Sequence, residues 1–243
     1  MRPRNAILLA AALIYVISYY VPFGGTVLYP LTLFTTWVHE MGHGLTALVL
    51  GGEFHSLEIF RNASGLADCY AAPGWREAMV CLGGLLAPPL LGAAILAFVH
   101  GPRRARVVLA VLAAALVTSL VLYVRSPAGL VAMPLVAMVL GWAAWRGFSE
   151  DPSRRVVLVQ VLGVVLALDT LTRMVSYVFK DAVVVDGKTS PSDIQMVADN
   201  LGGHYVLWGI AVTVFAVGLL ALASWWAWRR PERSPKSRDA RAT

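Results

Sequence analysis

The chain has 243 residues, of which 58% are hydrophobic and only 14% are charged, and its mean hydropathy is +0.68. A water-soluble domain could not bury this much apolar surface, so the composition excludes an ordinary soluble protein. The formal net charge is +6, but the basic residues lie beside hydrophobic segments and near the C-terminus, where lipid headgroups account for them. This distribution argues against nucleic acid as a partner.

Seven hydrophobic segments follow one another along the chain, each close to the roughly 20 residues that a helix needs to cross a bilayer. They predict an all-α polytopic membrane protein with about 6–7 transmembrane helices in a single membrane-embedded domain over residues 1–228. Residues 229–243 are rich in Arg, Pro and Ser, and we expect them to form a basic disordered C-terminal tail. The segments lie near residues 5–21, 28–50, 77–99, 105–124, 128–147, 155–179 and 204–228.

A polar stretch between the second and third segments predicts a short β-hairpin at about residues 52–70. Gly51-Gly52 ends the preceding helix, residues 54–60 partly alternate in polarity, and Asn62-Ala63-Ser64-Gly65 is typical of a turn. The edge of this hairpin could hold an extended peptide as an added strand, or the hairpin could simply close the loop.

The basic residues also indicate an orientation. Arginines follow the third segment at 103, 104 and 106, flank the loop after the fifth at 146, 154 and 155, and recur in the C-terminal tail. An odd number of spans places these three stretches on one side, which the positive-inside rule assigns to the cytoplasm together with the C-terminus. The same count leaves Arg2 and Arg4 outside, a conflict that a re-entrant segment would remove. We expect a multi-pass protein of the plasma membrane.

The second segment carries the sequence His39-Glu40-Met41-Gly42-His43. Residues four apart on a helix lie one turn above each other, so both imidazoles can reach a single metal ion. Zinc accepts imidazole nitrogens readily, and with three protein ligands it keeps one coordination position for water. Glu40 is placed to take the proton from that water. The motif therefore predicts one zinc ion per chain, with Glu40 as the catalytic residue.

Two other interpretations of the motif are a structural cluster and a proton relay. A histidine in a helix is more often a packed or hydrogen-bonded side chain than a metal ligand. Within hydrocarbon, however, ionisable groups are expensive unless they are paired or functional. Three such residues within five positions, at the spacing of a metal site, favour metal binding over both alternatives.

At these residues the chain resembles the M50 peptidases, the site-2-protease group of membrane-embedded zinc proteases, and within them the M50B-like branch. The resemblance covers most of the chain, and the motif at residues 39–44 is its most specific part. Its other carriers are suggestive only: Gly51-Gly52, the stretch 83–88, and Ser192-Asp193 before the last segment.

Asp169 is the first choice for a third metal ligand. An oxygen ligand suits a hydrolytic zinc beside two histidines, and a lone carboxylate in the apolar run 164–171 needs a cation or a hydrogen-bond donor. Site-2 proteases take their third ligand from a Leu-Asp-Gly motif on a later span. Leu168-Asp169 resembles this motif, although Thr170 stands where the family has Gly. The alternative is that Asp169 bonds to Arg173 one helical turn further on.

Asp193 is the alternative third ligand. Ser192-Asp193 resembles a Ser-Asp segment that recurs in the M50B-like branch before the terminal helix. Pro191-Ser192-Asp193 is also a good helix-start signal, and an aspartate in a first helical turn is stabilised there without a metal. Because it precedes the last segment by roughly ten residues, it would reach zinc only if its segment folded back toward the bilayer. We rank it second.

The resemblance implies an intramembrane zinc metalloendopeptidase, a hydrolase that cuts peptide bonds in membrane-spanning segments of other proteins. Its partners would then be the lipid bilayer and a membrane-protein substrate. Two alternatives stay open: an ion- or proton-coupled transporter whose histidines and aspartates line a path, and a catalytically silent M50 homologue that binds membrane proteins. The sequence does not indicate an oligomeric state.

Overall fold

The computed structural model describes residues 3–177, 180–185 and 187–229, so the expected tail beyond Arg229 lies outside the described residues. Its elements alternate between long helices and two short hairpins. They are α1 Pro3–Tyr20, α2 Gly24–Val49, β1 Glu53–Ile59, β2 Gly65–Tyr70, α3 Trp75–Phe98, α4 Pro102–Leu122, α5 Pro127–Trp145, α6 Ser153–Tyr177, β3 Ala182–Val185, β4 Lys188–Pro191, α7 Asp193–Leu201 and α8 Tyr205–Arg229.

The seven predicted hydrophobic segments coincide with α1 to α6 and α8 to within a few residues. Four of these helices, α3, α4, α5 and α8, are long and apolar enough to cross a membrane by length and composition. Residues Ala6–Ser18 of α1 form a shorter apolar stretch. The predicted all-α polytopic membrane architecture is confirmed, and the expected 6–7 spans are compatible with it.

The first hairpin, β1 with β2, confirms the prediction for residues 52–70. Its turn packs alongside α2, because the Thr36 hydroxyl donates to the Ala63 carbonyl at 2.8 Å and the Tyr29 hydroxyl donates to the Arg61 carbonyl at 2.9 Å. On the outer side of β1, the Leu57 N–H donates to the Tyr123 carbonyl at 2.9 Å. The outer edge of β2 pairs with no strand in the described part of the chain.

The second hairpin, β3 with β4, and the short helix α7 were not predicted as elements. The helix-start signal at Pro191-Ser192-Asp193 is confirmed, because the Ser192 side chain caps α7 by accepting from the Gln195 N–H at 3.2 Å. The Ser192 backbone N–H donates to the Asp181 carbonyl at 2.9 Å. This hydrogen bond joins the start of α7 to the residue that precedes β3.

Helix α3 lies at the centre and packs against α2, α6, α7 and α8. Glycines permit its closest approaches: a Cβ at Gly42 would lie 2.5 Å from the Gly83 carbonyl oxygen, and one at Gly92 would lie 2.5 Å from the Gly163 carbonyl oxygen. Small residues at helix crossings allow this tight packing in membranes. Both α2 and α6 therefore pack closely against α3.

The basic loops and the hairpins lie at opposite ends of the helix bundle. The Gln160 amide near the start of α6 donates to the Val99 carbonyl at the end of α3, and Ala223 of α8 clusters with Leu96. The loops after α3 and α5 and the end of α8 therefore lie at one end, with the basic residues of those segments. Both hairpins, α7 and the HExxH half of α2 lie toward the other end.

Candidate metal centre

Helix α2 places His39 and His43 one turn apart on the same face. Their Nε2 atoms are 3.1 Å apart, and their rings meet edge to face. Such a separation brings two nitrogen lone pairs toward one point if both rings are neutral. The motif therefore forms the converging pair that its spacing predicted.

The orientation of His43 is fixed by α3. Its Nδ1 lies 2.9 Å from the Val80 carbonyl oxygen, which can only accept, so in the neutral ring Nδ1 carries the proton and Nε2 keeps its lone pair. Gly84, one turn along α3, leaves room for the ring, because a Cβ there would overlap the imidazole. A backbone carbonyl behind a metal-binding histidine is a common way of fixing its tautomer.

The third member of the group is Asp193, the first residue of α7. Its Oδ2 lies 3.2 Å from Nε2 of His39 and 3.5 Å from Nε2 of His43. The segment has folded back from the end of α6 through the second hairpin, as the alternative ligand assignment required. Within the described residues, His39, His43 and Asp193 form the group that could hold a metal ion.

The three ligand atoms fit zinc in size. Ligands at about 2.0–2.1 Å in tetrahedral geometry lie about 3.3 Å from one another, and the observed separations are 3.1, 3.2 and 3.5 Å. Two imidazoles with one carboxylate also form a donor set that hydrolytic zinc sites use, with one position left for water. The residues present therefore fit a catalytic zinc.

The charge state of Asp193 suits a cation. Burial alone would raise the pKa of its carboxyl, but the adjacent His43 and His39 imidazoles, when protonated in the metal-free protein, outweigh burial and hold that pKa well below its usual range. Because a carboxylate must be ionised to act as a ligand, Asp193 is available for metal binding at neutral pH.

Asp169, the first choice as third ligand, lies elsewhere. It is buried in α6, where it accepts a hydrogen bond from the Tyr15 hydroxyl of α1 at 2.8 Å. It does not belong to the group formed by the two histidines. The side chain of Arg173, the other partner considered for Asp169, lies outside the described side chains. The geometry thus brings the second-ranked aspartate, not Asp169, to the histidines.

Glu40 is buried and faces the first hairpin. A Cβ at Gly65, the first residue of β2, would lie 2.6 Å from Glu40 Cγ and Oε1 and 2.7 Å from the Thr36 methyl group. The glycine therefore provides the space that the Glu40 side chain occupies. Glu40 borders the same cavity as the two histidines and Asp193.

That cavity has a volume of about 450 Å³ and lies between the two hairpins. Helix α2 and the N-terminal half of α3 form two of its walls, β2 forms a third, and β3 with the start of α7 forms the fourth. Most of its other lining side chains are apolar, among them Leu66, Ala67, Val80, Leu85, Val183 and Val185.

A comparison with protein families decides the family of the chain. Residues 6–223 match the family described as Peptidase M50B-like. The chain belongs to that family. Searches of curated proteins and of solved structures gave no match. As an M50B-like protein with four long apolar helices, it is an integral membrane protein. The M50 peptidases are zinc metalloproteases, and His39, His43 and Asp193 form a possible metal site in the described part of the chain.

Proposed function

We propose that this M50B-like protein is an intramembrane zinc metalloendopeptidase of the site-2-protease type. The observation that carries the proposal is the convergence of His39, His43 and Asp193 on one point in a cavity that Glu40 also borders. His39, His43 and Asp193 would hold one zinc ion per chain. Asp169 is not part of this proposed ligand set.

Each residue has a distinct part in the chemistry. Zinc bound at the three ligands would supply Lewis-acid activation of water and of the scissile carbonyl. Glu40 accepts a proton from the attacking water and passes it to the departing amine. Val80 keeps the His43 proton on Nδ1, so that Nε2 stays free as a ligand.

The substrate class follows from the surroundings of the site. The cavity is mostly apolar and lies in a membrane protein, which suits an apolar segment of another membrane protein. An intact helix hides its carbonyls in internal hydrogen bonds, so the segment must be unwound to be cut. The outer edge of β2 borders the cavity and could pair with such an extended segment as an added strand.

The proposal also includes the side of the membrane that the cavity faces. The positive-inside rule places the basic end of the bundle, and with it the C-terminus, in the cytoplasm. The cavity then opens toward the opposite side of the plasma membrane. Labelling of single cysteines introduced at Arg103 and at Glu53 by an impermeant maleimide on intact cells tests this: position 53 should react and position 103 should not.

The decisive experiment compares wild type with Glu40→Gln in proteoliposomes that contain reporter proteins with one apolar span. Glu40→Gln should keep one zinc per chain, measured by mass spectrometry of the metal, and should lower cleavage by at least about 100-fold. Cleavage at the wild-type rate would overturn the role of Glu40. Wild-type protein that binds zinc but cuts no reporter would favour a silent homologue, and pH-dependent ion flux without bound zinc would favour a transporter.

A further inference from the structure

The cavity contains one carboxylate that the proposed chemistry does not use. Its lining includes five acidic or histidine residues, and four of them, His39, Glu40, His43 and Asp193, belong to the proposed metal centre. The fifth is Glu77. No lysine or arginine is found among the lining residues that the structure describes.

Glu77 lies in the first turn of α3 and is partly buried. Within the described part of the chain its carboxylate accepts no hydrogen bond and forms no ion pair. The neighbouring Arg76 does not neutralise it, because the guanidinium lies over the Trp75 ring, 5.5 Å from its centroid. The positive end of the α3 dipole stabilises an acidic residue at this position, but that does not supply a partner inside the cavity.

The position of Glu77 along α3 sets its distance from the metal centre. Gly84 packs against the His43 ring, and Glu77 precedes Gly84 by seven residues, or about 10 Å along the helix axis. An extended peptide advances about 3.3 Å per residue. A peptide that ran through the cavity parallel to α3 would therefore bring to Glu77 a side chain about three residues from the bond held at the metal centre.

We infer that Glu77 is a specificity-determining residue that selects substrates with Lys or Arg about three residues from the scissile bond. The inference rests on the proposed function and narrows its substrate class to apolar segments flanked by a basic residue. A cationic side chain gains a charge-assisted bond to a partly desolvated carboxylate there, whereas an acidic side chain is repelled.

The test uses the full-length, zinc-loaded protein and a set of single-span reporters in proteoliposomes. In each reporter one position within five residues of the cleavage site is Lys, Gln or Glu. Wild type should cut the reporter with Lys at the preferred position about 10-fold faster in kcat/KM than the one with Gln. Glu77→Gln should abolish this preference, and Glu77→Lys should reverse it in favour of Glu.

Two measurements separate specificity from a merely structural effect. Zinc content of both Glu77 variants should equal that of wild type, which would show that the metal centre is intact. In the inactive Glu40→Gln protein, the Lys reporter should bind about 10-fold more tightly than the Gln reporter, and adding Glu77→Gln should remove the difference. The matched control is Glu53→Gln, a carboxylate at the same end of the molecule that pairs with His55 and does not line the cavity.

The outcomes distinguish the two proposals. A Lys preference that survives Glu77→Gln, or wild-type cleavage with no charge preference, overturns the role of Glu77 and leaves the endopeptidase intact. If wild type cuts none of the reporters, the proposed function fails first, and the specificity inference fails with it.

Discussion

Two aspartates on neighbouring helices, one within α6 and one at the start of α7, show how differently the same side chain can be used in this protein. Asp169 lies within α6 and shares a hydrogen bond with Tyr15 of α1, whereas Asp193 begins α7 and faces two imidazoles. The apolar sequence around Asp169 favoured that residue as the third metal ligand, yet the carboxylate that lies beside the two histidines is that of Asp193, at the polar start of α7. A buried carboxylate needs a partner, but that partner need not be a cation, because a hydroxyl donor also satisfies it.

The largest expected effect separates the two aspartates directly. Asp193→Ala removes one of three proposed ligands and should weaken zinc binding by more than about 100-fold, with loss of cleavage. Asp169→Asn keeps an oxygen that can accept from Tyr15, so the protein should retain one zinc per chain. Metal content after dialysis against a graded zinc buffer measures both. Zinc loss in Asp169→Asn with retention in Asp193→Ala would reverse the assignment.

The next effect tests whether α3 shapes the metal centre. Gly84→Ala places a methyl group on the His43 ring and should displace Nε2 from the position it shares with His39 and Asp193. Zinc affinity should fall by roughly 10- to 100-fold. The control is Gly218→Ala in α8, where a Cβ meets nothing within 4 Å. Equal zinc affinity in both variants would show that the ring has room to move.

Much of the fold followed from local sequence. The long apolar runs predict helices, because a helix satisfies all of its backbone hydrogen bonds within a single membrane-spanning segment. The Gly51-Gly52 break and the turn at residues 62–65 predict the first hairpin. The pairing of His39 with His43 followed from the helical repeat alone. Their convergence requires only one helix, so no long-range contact had to be known.

The third member of the group, Asp193, could not be predicted in the same way, since its position depends on the path of the chain after α6. The second hairpin is short, with four residues in each strand, and β4 is exposed throughout. Because no face of β4 is buried, the sequence of β4 lacks the alternation of apolar and polar residues that marks a strand. Two signals pointed to Asp193: the helix cap Ser192 before it, and the resemblance of Ser192-Asp193 to a segment of the M50B-like branch. The cap identifies where α7 begins but does not indicate what the start of α7 faces.

A smaller effect should separate stability from metal binding at Asp169. Tyr15→Phe removes the hydroxyl that donates to the buried carboxylate, which should lower the free energy of unfolding by about 1–3 kcal/mol. Zinc affinity should be unchanged, since neither residue belongs to the ligand group. Thermal unfolding in detergent and zinc titration measure the two quantities. A drop in zinc affinity without a drop in stability would return Asp169 to the metal centre.

The smallest expected effect concerns how Asp193 is held. Ser192→Ala removes the side-chain cap of α7, worth about 1 kcal/mol, and also the hydroxyl that donates to the Lys180 carbonyl at 3.1 Å. Asp193 should then be less well positioned, so zinc affinity should fall by about fivefold and amide exchange in α7 should accelerate in the zinc-free protein. Saturating zinc should restore slow exchange, because a bound ion would anchor α7 through Asp193. If zinc left the exchange rate of α7 unchanged, Asp193 would contact the histidines without binding a metal ion. Asp193 and Asp169 would then both be hydrogen-bonded carboxylates, and neither would be a metal ligand.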